Sequence, residues 1–354
     1  MRLVFLFTRD KDSSAWSFAT EGLYCLFKRM IADRVVDQID VIIESFRHNG
    51  VVQYAPGYQC RMVNAVTPAM ADEMLAPGDL VWVRGGFKPW LAFIDHCRKT
   101  SRWLMFYGAN TGNERWPFWD IVLDDLSGKA PHIDGLSRLW LDYRKPVNPE
   151  IFKPVKTKPS FDLCIGASHI HDKKGQWRGV KAVRAYRERF GKNLRCILPG
   201  GLHRGVMTNG ICAEIKSAGL DISMPGMVSR PELANIFNLS SVFCHLGSGG
   251  QGDRGPMEAM ACGRSLIIGF PNYHANWISK SPNVLVPNNP DDFNEIADLI
   301  HSQIKMPSVC EKMAGHYSDQ GGIDKNGLPM MRRICEFVQR HPVADRAVLV
   351  ELLK

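Results

Sequence analysis

Residues 240–270, SSVFCHLGSGGQGDRGPMEAMACGRSLIIGF, contain signals for a strand, a loop, a helix and a second strand in that order. The apolar run 242–244 stops at a glycine-rich loop, Pro256 suits the first position of a helix, and Gly263 suits its C-terminal cap. Residues 265–268 then form another apolar run. The stretch therefore predicts a strand, loop, helix and strand unit of an α/β fold.

The loop in this unit, residues 247–255, has the composition of an anion-binding turn. Its glycines let backbone N–H groups approach a ligand closely, and the following helix presents its positive dipole end. Glu258, predicted in the first helical turn, can accept hydrogen bonds from two ribose hydroxyls. The pattern favours recognition of a nucleoside diphosphate, and the alternative is that the glycines only make a tight connection.

The run 255–267, GPMEAMACGRSLI, resembles the C-terminal signature of retaining GT-B glycosyltransferases of the family-4 type (glycosyl transferases group 1). That family uses nucleotide sugars and has a Glu-x7-Glu motif. Glu258 matches the second glutamate of the motif. Gly250 stands in place of the first, which contacts the donor sugar in the family, and Asp253 and Gln251 are the nearby side chains for that role.

The resemblance extends mainly over residues 147–270. Residues 147–154, VNPEIFKP, are similar to the family's inter-domain hinge. Lys174 matches its phosphate-binding lysine, with Arg178 as a second cation, whereas Ala167 stands where the family has an arginine. Through the resemblance, we expect the donor-binding residues to be Lys174, Arg178, Gly226, Gly250, Asp253, Gly255 and Glu258, with Gly226 at the base pocket.

A chain of 354 residues is long enough for two domains with cores of their own. Apolar runs alternate with helical patterns along it, which is typical of doubly wound sheets. Together with the resemblance, this predicts the GT-B fold, in which two Rossmann-like domains face a cleft. We expect an acceptor-side domain over 1–150, a nucleotide-sugar domain over 151–330, and a helical segment over 331–354 that returns to the first domain.

Ligands of such sheets bind beyond the carboxyl ends of the strands, which points to loops 8–14, 84–88 and 108–119 of the first domain. The third loop has tryptophans that suit a sugar or a base, or that fill the core. None of the loops has a histidine to match the one that the family uses near the donor sugar, so the catalytic residue stays unassigned. The acceptor-side candidates are Asp10, Gly86, Asn110, Glu114 and Trp116.

The formal net charge of +8 lies entirely in the second part of the chain, because residues 1–150 have 18 basic and 18 acidic side chains. A basic field suits an anionic nucleotide sugar, and it also fits nucleic acid or an anionic membrane face. The ten cysteines include no Cys-x-x-Cys pair, which favours buried thiols in the reducing cytoplasm. We expect no signal peptide, no membrane span and no bound metal.

The predicted function is transfer of a hexosyl or pentosyl group from a nucleotide-diphosphate sugar to an acceptor hydroxyl. The resemblance implies a retaining, metal-independent reaction with no cofactor besides the nucleotide sugar as co-substrate. Two acceptors stay open, namely a carbohydrate such as a cell-surface glycan and a hydroxymethylated base in DNA. A hypothesis of another class is a non-catalytic nucleotide- or carbohydrate-binding protein on the same fold.

Overall fold

The computed structural model describes residues 1–7, 14–45, 47–107, 115–124, 130–166, 174–201, 206–247, 254–269, 275–278, 281, 283–306 and 310–353. Contacts divide the chain into two compact units: unit 1 is Met1–Asn148 with Gly322–Lys354, and unit 2 is Pro149–Gly321. We expected the second domain to end at residue 330. Residues 322–330 instead belong to unit 1, because Ile323 and Leu328 are buried in its core.

Unit 1 contains a mixed sheet with helices on both faces. Its strands are β1 (Arg2–Leu6), β2 (Gln38–Glu44), β3 (Gly50–Ala55), β4 (Tyr58–Val63), β5 (Leu80–Arg84), β6 (Trp103–Tyr107), β7 (Ile121–Asp124), β8 (His132–Ile133) and β9 (Leu139–Asp142). Their spatial order is β3-β4-β2-β1-β5-β6-β7-β9-β8. The β3/β4 and β8/β9 pairs at the two edges are antiparallel, and the pairs between them are parallel.

The central strands are buried on both faces, so successive side chains enter two different cores. Phe5 of β1 packs edge-to-face on Trp82, whereas its neighbour Leu6 lies in the opposite cluster with Phe106 and Trp119. This double burial explains why these strands are nearly continuous apolar runs. The helices that cover them are α1 (Ala15–Ala19), α2 (Gly22–Ala32), α3 (Pro68–Met74) and α4 (Leu91–Lys99).

The apolar pattern of residues 15–31 predicts one helix, but the structure has two. The break falls at Glu21, which is extended, and Gly22 then packs directly against the backbone of the segment before unit 2. A Cβ on Gly22 would lie 1.9 Å from the carbonyl oxygen of Pro146, so only glycine fits there. The close approach of two backbones therefore overrides the helical pattern.

The C-terminal part of the chain packs on unit 1 through α12 (Leu328–Arg340) and a 3-10 helix, Arg346–Leu353. The indole Nε1 of Trp103 donates to the carbonyl of His341 at 2.6 Å. Arg346 donates from Nε to Oδ1 of Asp120 at 2.8 Å. Burial raises the pKa of the Asp120 carboxyl, and the hydrogen bond from Arg346 opposes that shift.

Unit 2 contains a parallel sheet of the dinucleotide-binding order. Its strands are β10 (Phe161–Ile165), β11 (Cys196–Pro199), β12 (Ile222–Gly226), β13 (Ser240–His245), β14 (Ser265–Ile268) and β15 (Val284–Leu285), in the spatial order β12-β11-β10-β13-β14-β15. The helices are α5 (Gln176–Phe190), α6 (Val206–Ser217), α7 (Arg230–Asn238), α8 (Arg254–Ala261), α9 (Ala275–Ile278), α10 (Phe293–Lys305) and α11 (Cys310–Gly321). The order reverses between β10 and β13, which is where ligands of such sheets bind.

The prediction of two Rossmann-like α/β domains is therefore confirmed. Within the described ranges, none of the helices is both long enough and apolar enough to cross a membrane.

Candidate functional site

The carboxyl ends of β10 and β13 form the switch point of the sheet in unit 2. Gly166 follows β10 with a φ of +65°, and its N–H donates to the carbonyl of Cys244 at 2.8 Å. Gly175, with a φ of +70°, caps the start of α5. A Cβ on Gly175 would lie 2.1 Å from the carbonyl oxygen of Leu246, so glycine is required for α5 to start against the end of β13.

Lys174 and Arg178, which the resemblance suggested as phosphate-binding cations, lie at this start of α5. Lys174 directly precedes the left-handed Gly175. The Arg178 guanidinium donates to both carboxylate oxygens of Asp291, at 2.8 and 3.4 Å, and to the carbonyl of Leu246 at 3.2 Å. Arg178 thus secures the chain that leaves β13, and its predicted contact with a diphosphate stays a prediction.

The two strands and the helix predicted within residues 240–270 are present as β13, β14 and α8, whereas residues 248–253 of the predicted anion-binding loop lie outside the described residues. The helix begins at Arg254, two residues earlier than expected, so Pro256 is its third residue and Glu258 lies in the second turn. Proline is tolerated there because the N–H groups of a first turn have no acceptor within the helix. Gly255 is buried inside α8, and Gly250 and Asp253 fall outside the described residues.

Glu258 is the buried carboxylate of this site, with 2% of its surface exposed. Its Oε1 accepts a hydrogen bond from Nη2 of Arg230 at 2.5 Å. Within the described ranges, its Oε2 accepts no hydrogen bond. A buried carboxylate that is neutralised on one oxygen and has the other available is suited to bind a hydroxyl group.

Arg230 was not predicted from the sequence. It begins α7, whose N-cap Ser229 forms a capping box with Glu232, and its guanidinium stacks over the ring of Phe152 at 4.9 Å. The Ser-x-x-Glu spacing signals the start of this helix. Its pairing with a glutamate 28 residues later depends on the order of the strands, which local sequence does not specify.

Gly226 ends β12 in the left-handed region, with a φ of +79°. Its carbonyl accepts a hydrogen bond from the N–H of Gly200 at 2.8 Å, and no described atom lies within 4 Å of where its Cβ would be. The turn therefore presents open backbone at the carboxyl edge of the sheet. It also leads directly into the helix that places Arg230 beside Glu258.

The thiols near the switch point are buried. Burial raises the pKa of Cys244 to about 12, and burial also raises the pKa of Cys164 on the neighbouring strand. Both thiols therefore stay protonated at neutral pH. In the described part of the chain, no group of three or more histidine, cysteine or acidic side chains is placed to hold a metal ion.

Unit 1 has its own cluster of polar groups at the carboxyl ends of its strands. Arg84, the last residue of β5, donates to Oε2 of Glu21 at 3.4 Å, and its guanidinium lies over the rings of Phe7 and Tyr107. The ammonium group of Lys145 lies 5.5 Å from the centre of the Tyr107 ring. These cations lie next to aromatic faces at this edge. Arg84 begins one of the three loops that the sequence pointed to, whereas Lys145 was not predicted.

The predicted acceptor-side residues divide into two groups. Gly86 and Trp116 lie within the described residues. Phe87, which follows Gly86, packs its ring edge-to-face on Trp116 with 5.5 Å between the ring centres, so the two predicted residues lie near each other. Trp116 is 39% exposed, whereas Trp119 of the same loop is fully buried. Trp119 therefore fills the core and Trp116 is available to a ligand. Asp10, Asn110 and Glu114 lie outside the described residues.

Comparisons with known proteins support the fold through structure and not through sequence. No family model matches the chain, and no curated protein matches it. Among solved structures, the Anabaena protein HepE in complex with UDP superposes with a TM-score of 0.65 at 13% identity, covering 96% of this chain and 100% of that one.

A UDP-forming α,α-trehalose-phosphate synthase from Burkholderia xenovorans, in complex with glucose-6-phosphate, gives a TM-score of 0.65 at 12% identity, over 96% of this chain and 99% of that one. Sucrose-phosphate synthase from Thermosynechococcus elongatus gives 0.64 at 10% identity, over 96% and 98%. The likeness covers both units, so the resemblance is confirmed at the level of the fold: the chain has the GT-B fold of these glycosyltransferases.

Proposed function

We propose that the protein is a glycosyltransferase that moves a sugar from a nucleotide-diphosphate sugar to an acceptor hydroxyl. The observation that carries the proposal is the Glu258 carboxylate, which is buried, paired with Arg230 on one oxygen and available on the other. It stands on the helix that follows the switch-point strand. Solved structures of the same fold contain UDP or UDP-2-fluoro glucose, which supports a nucleotide sugar as the ligand of this unit.

In the proposed reaction, the bond between the sugar C1 and the donor phosphate breaks, and a bond from C1 to the acceptor oxygen forms. The acceptor proton passes to the departing phosphate. Negative charge therefore builds up on the diphosphate, where Lys174 and the N–H groups at the start of α8 would stabilise it. Glu258 would hold the ribose. We propose retention of configuration and independence of metal on the basis of the sequence resemblance.

For the acceptor, we propose a carbohydrate hydroxyl bound on unit 1. Arg84, Lys145 and the exposed face of Trp116 offer charges and an aromatic surface, which suit a sugar with or without an anionic group. The comparison structure with glucose-6-phosphate is consistent with that class. The cysteines, none of which forms a disulfide, fit a reducing compartment such as the cytoplasm.

Acceptor-free hydrolysis is the direct test of this function. The protein is incubated with UDP-, GDP-, ADP- and CMP-sugars, and release of free sugar is followed with and without EDTA. We expect slow hydrolysis of donors with one base, unaffected by EDTA, and proton NMR should show that an α-sugar donor releases the α-anomer of the free sugar first. A donor that binds but stays intact would instead identify a non-catalytic binding protein.

The acceptor class is tested separately. Transfer to mono- and oligosaccharides is compared with transfer to duplex DNA that contains hydroxymethylated bases. We expect transfer to the saccharides. We also expect that the protein does not bind duplex DNA at either low or high salt. Strong, salt-sensitive DNA binding with transfer to the modified base would reject the carbohydrate acceptor.

A further inference from the structure

A cavity lies in unit 2, away from the site described above. It has a volume of about 1010 Å³ and is lined by the linker 154–159, Arg264 and the first turn of α11. The linker leads into β10 and Arg264 leads into β14, so the cavity lies at the amino ends of these parallel strands. The switch-point site lies at the carboxyl ends, which are the opposite edge of the same sheet.

Arg264 brings a buried positive charge to this cavity, with only 8% of the residue exposed. Its guanidinium donates to the carbonyls of Cys262, Asn238 and Ser240 and to the Sγ of Cys310, at 3.0 to 3.4 Å. These acceptors are uncharged carbonyls and a thiol. Within the described ranges, no carboxylate lies within 4.0 Å of it, although buried charges are ordinarily paired.

Three further cationic side chains line the same cavity. Lys156, Lys158 and Lys312 line it, and none of them has a carboxylate within 4.0 Å in the part of the chain that the structure describes. Glu311 is the acidic residue of the lining. Four positive charges against one negative charge leave a formal excess of three in a concave surface, where the field is focused.

The linker segment 154–159, which contains Lys156 and Lys158, is held in place by hydrogen bonds to Asn238. The side chain of Asn238 donates to the carbonyl of Lys153 at 3.1 Å and accepts from the N–H of Val155 at 2.9 Å. The hydroxyl of Thr157 donates to the Asn238 carbonyl at 3.0 Å. The linker backbone is therefore held against the end of α7, and a ligand does not have to order it on binding.

We propose that this cavity binds a phosphate chain, either a free polyphosphate or the triphosphate of a nucleotide. Lysine ammonium groups bind phosphate as point charges, and several of them spread around one cavity match a ligand with several charged groups. The ligand would also supply the counter-charge that the buried Arg264 lacks. This site is separate from the proposed donor site and does not depend on the proposed function.

Cys310 provides a local reporter for the test. It is partly exposed and lines the cavity, whereas the exposed Cys212 on α6 lies outside the lining and serves as an internal control. The protein is alkylated with iodoacetamide at constant ionic strength, and each thiol is quantified by peptide mass spectrometry. The arms of the experiment contain tripolyphosphate, ATP without metal, or potassium chloride alone.

We expect tripolyphosphate at ten times its Kd to slow alkylation of Cys310 about tenfold, with no change at Cys212. The double variant K156A/K158A should lose this protection and keep the unfolding midpoint of the parent. The matched control K192A/K305A, which removes two exposed lysines elsewhere in unit 2, should retain it.

Protection by both anions assigns the site to the phosphate chain, and protection by tripolyphosphate alone assigns it to the inorganic ligand. Glu258→Gln should leave either result unchanged, because it alters the other edge of the sheet. Unchanged alkylation of Cys310, equal protection of both thiols, or equal loss of protection in K192A/K305A would overturn the proposal.

Discussion

Replacing Glu258 by glutamine should weaken nucleotide binding far more than it perturbs the fold. The carboxylate is buried, Arg230 occupies one oxygen, and the other accepts no hydrogen bond within the described ranges. A hydrogen bond from a ribose hydroxyl to a charged acceptor contributes about 1.5–3 kcal/mol. Losing it corresponds to roughly 10- to 150-fold weaker binding of the nucleoside diphosphate.

The substitution also leaves the Arg230 guanidinium without its counter-ion. Because 21% of that side chain is exposed, we expect a loss of about 1–3 kcal/mol in the free energy of unfolding, below the value for a fully buried pair. Urea unfolding measures this loss, and titration calorimetry well below the melting temperature measures the affinity. The control Glu188→Gln removes an exposed carboxylate from unit 2, so it should change neither the nucleotide affinity nor the free energy of unfolding by much. Wild-type affinity in Glu258→Gln would refute the assignment of the ribose site.

Two further predictions concern stability. Gly175→Ala should cost more than about 3 kcal/mol, because its Cβ would clash with the carbonyl of Leu246, whereas Gly191→Ala, with a similar φ and open space, should cost about 1 kcal/mol. Equal urea midpoints for the two variants would contradict the close packing. Burial raises the pKa of Asp134, but hydrogen bonds, chiefly from Arg138, outweigh it and hold the pKa at about 2. Since this lies below the unfolded value, Asp134→Asn should be less stable by about 2 kcal/mol at pH 7, and the difference should vanish as the pH falls from about 5 to about 1, below the folded pKa. A difference that does not change with pH would reject this assignment.

The sequence predicted the parallel strands well because burial on both faces leaves an unmistakable apolar run. The hairpin β3/β4 was missed, although Pro56-Gly57 between two valine- and tyrosine-containing runs is a turn signal. Its edge strand is largely exposed, so it lacks the continuous apolar pattern of the central strands. Helix α11 was missed because its glycines, serine and histidine dilute the helical periodicity, and packing on α8 determines its conformation instead.

The candidate site was predicted in part. Lys174, Gly226 and Glu258 were expected at the donor site mainly through the resemblance to the GT-B family, and their contact with a donor stays a prediction. The partners of the charged groups did not follow, because Arg178 pairs with Asp291 and Arg230 pairs with Glu258 across long stretches of chain. Such pairs depend on strand order and helix placement, which no local pattern contains.

We propose that unit 2 holds a nucleotide-sugar site at the switch point of its sheet. Thermal unfolding with UDP-, GDP-, ADP- and CMP-sugars tests it most directly, because a ligand that binds the folded state alone raises its stability. At a ligand concentration of 100 times the Kd, the free energy of unfolding rises by about 2.7 kcal/mol. For a domain of this size, this raises the Tm by roughly 5–10 °C. We expect such a shift with the sugars of one base and its loss in Glu258→Gln. No shift with any of the four, or an equal shift in the variant, would contradict it.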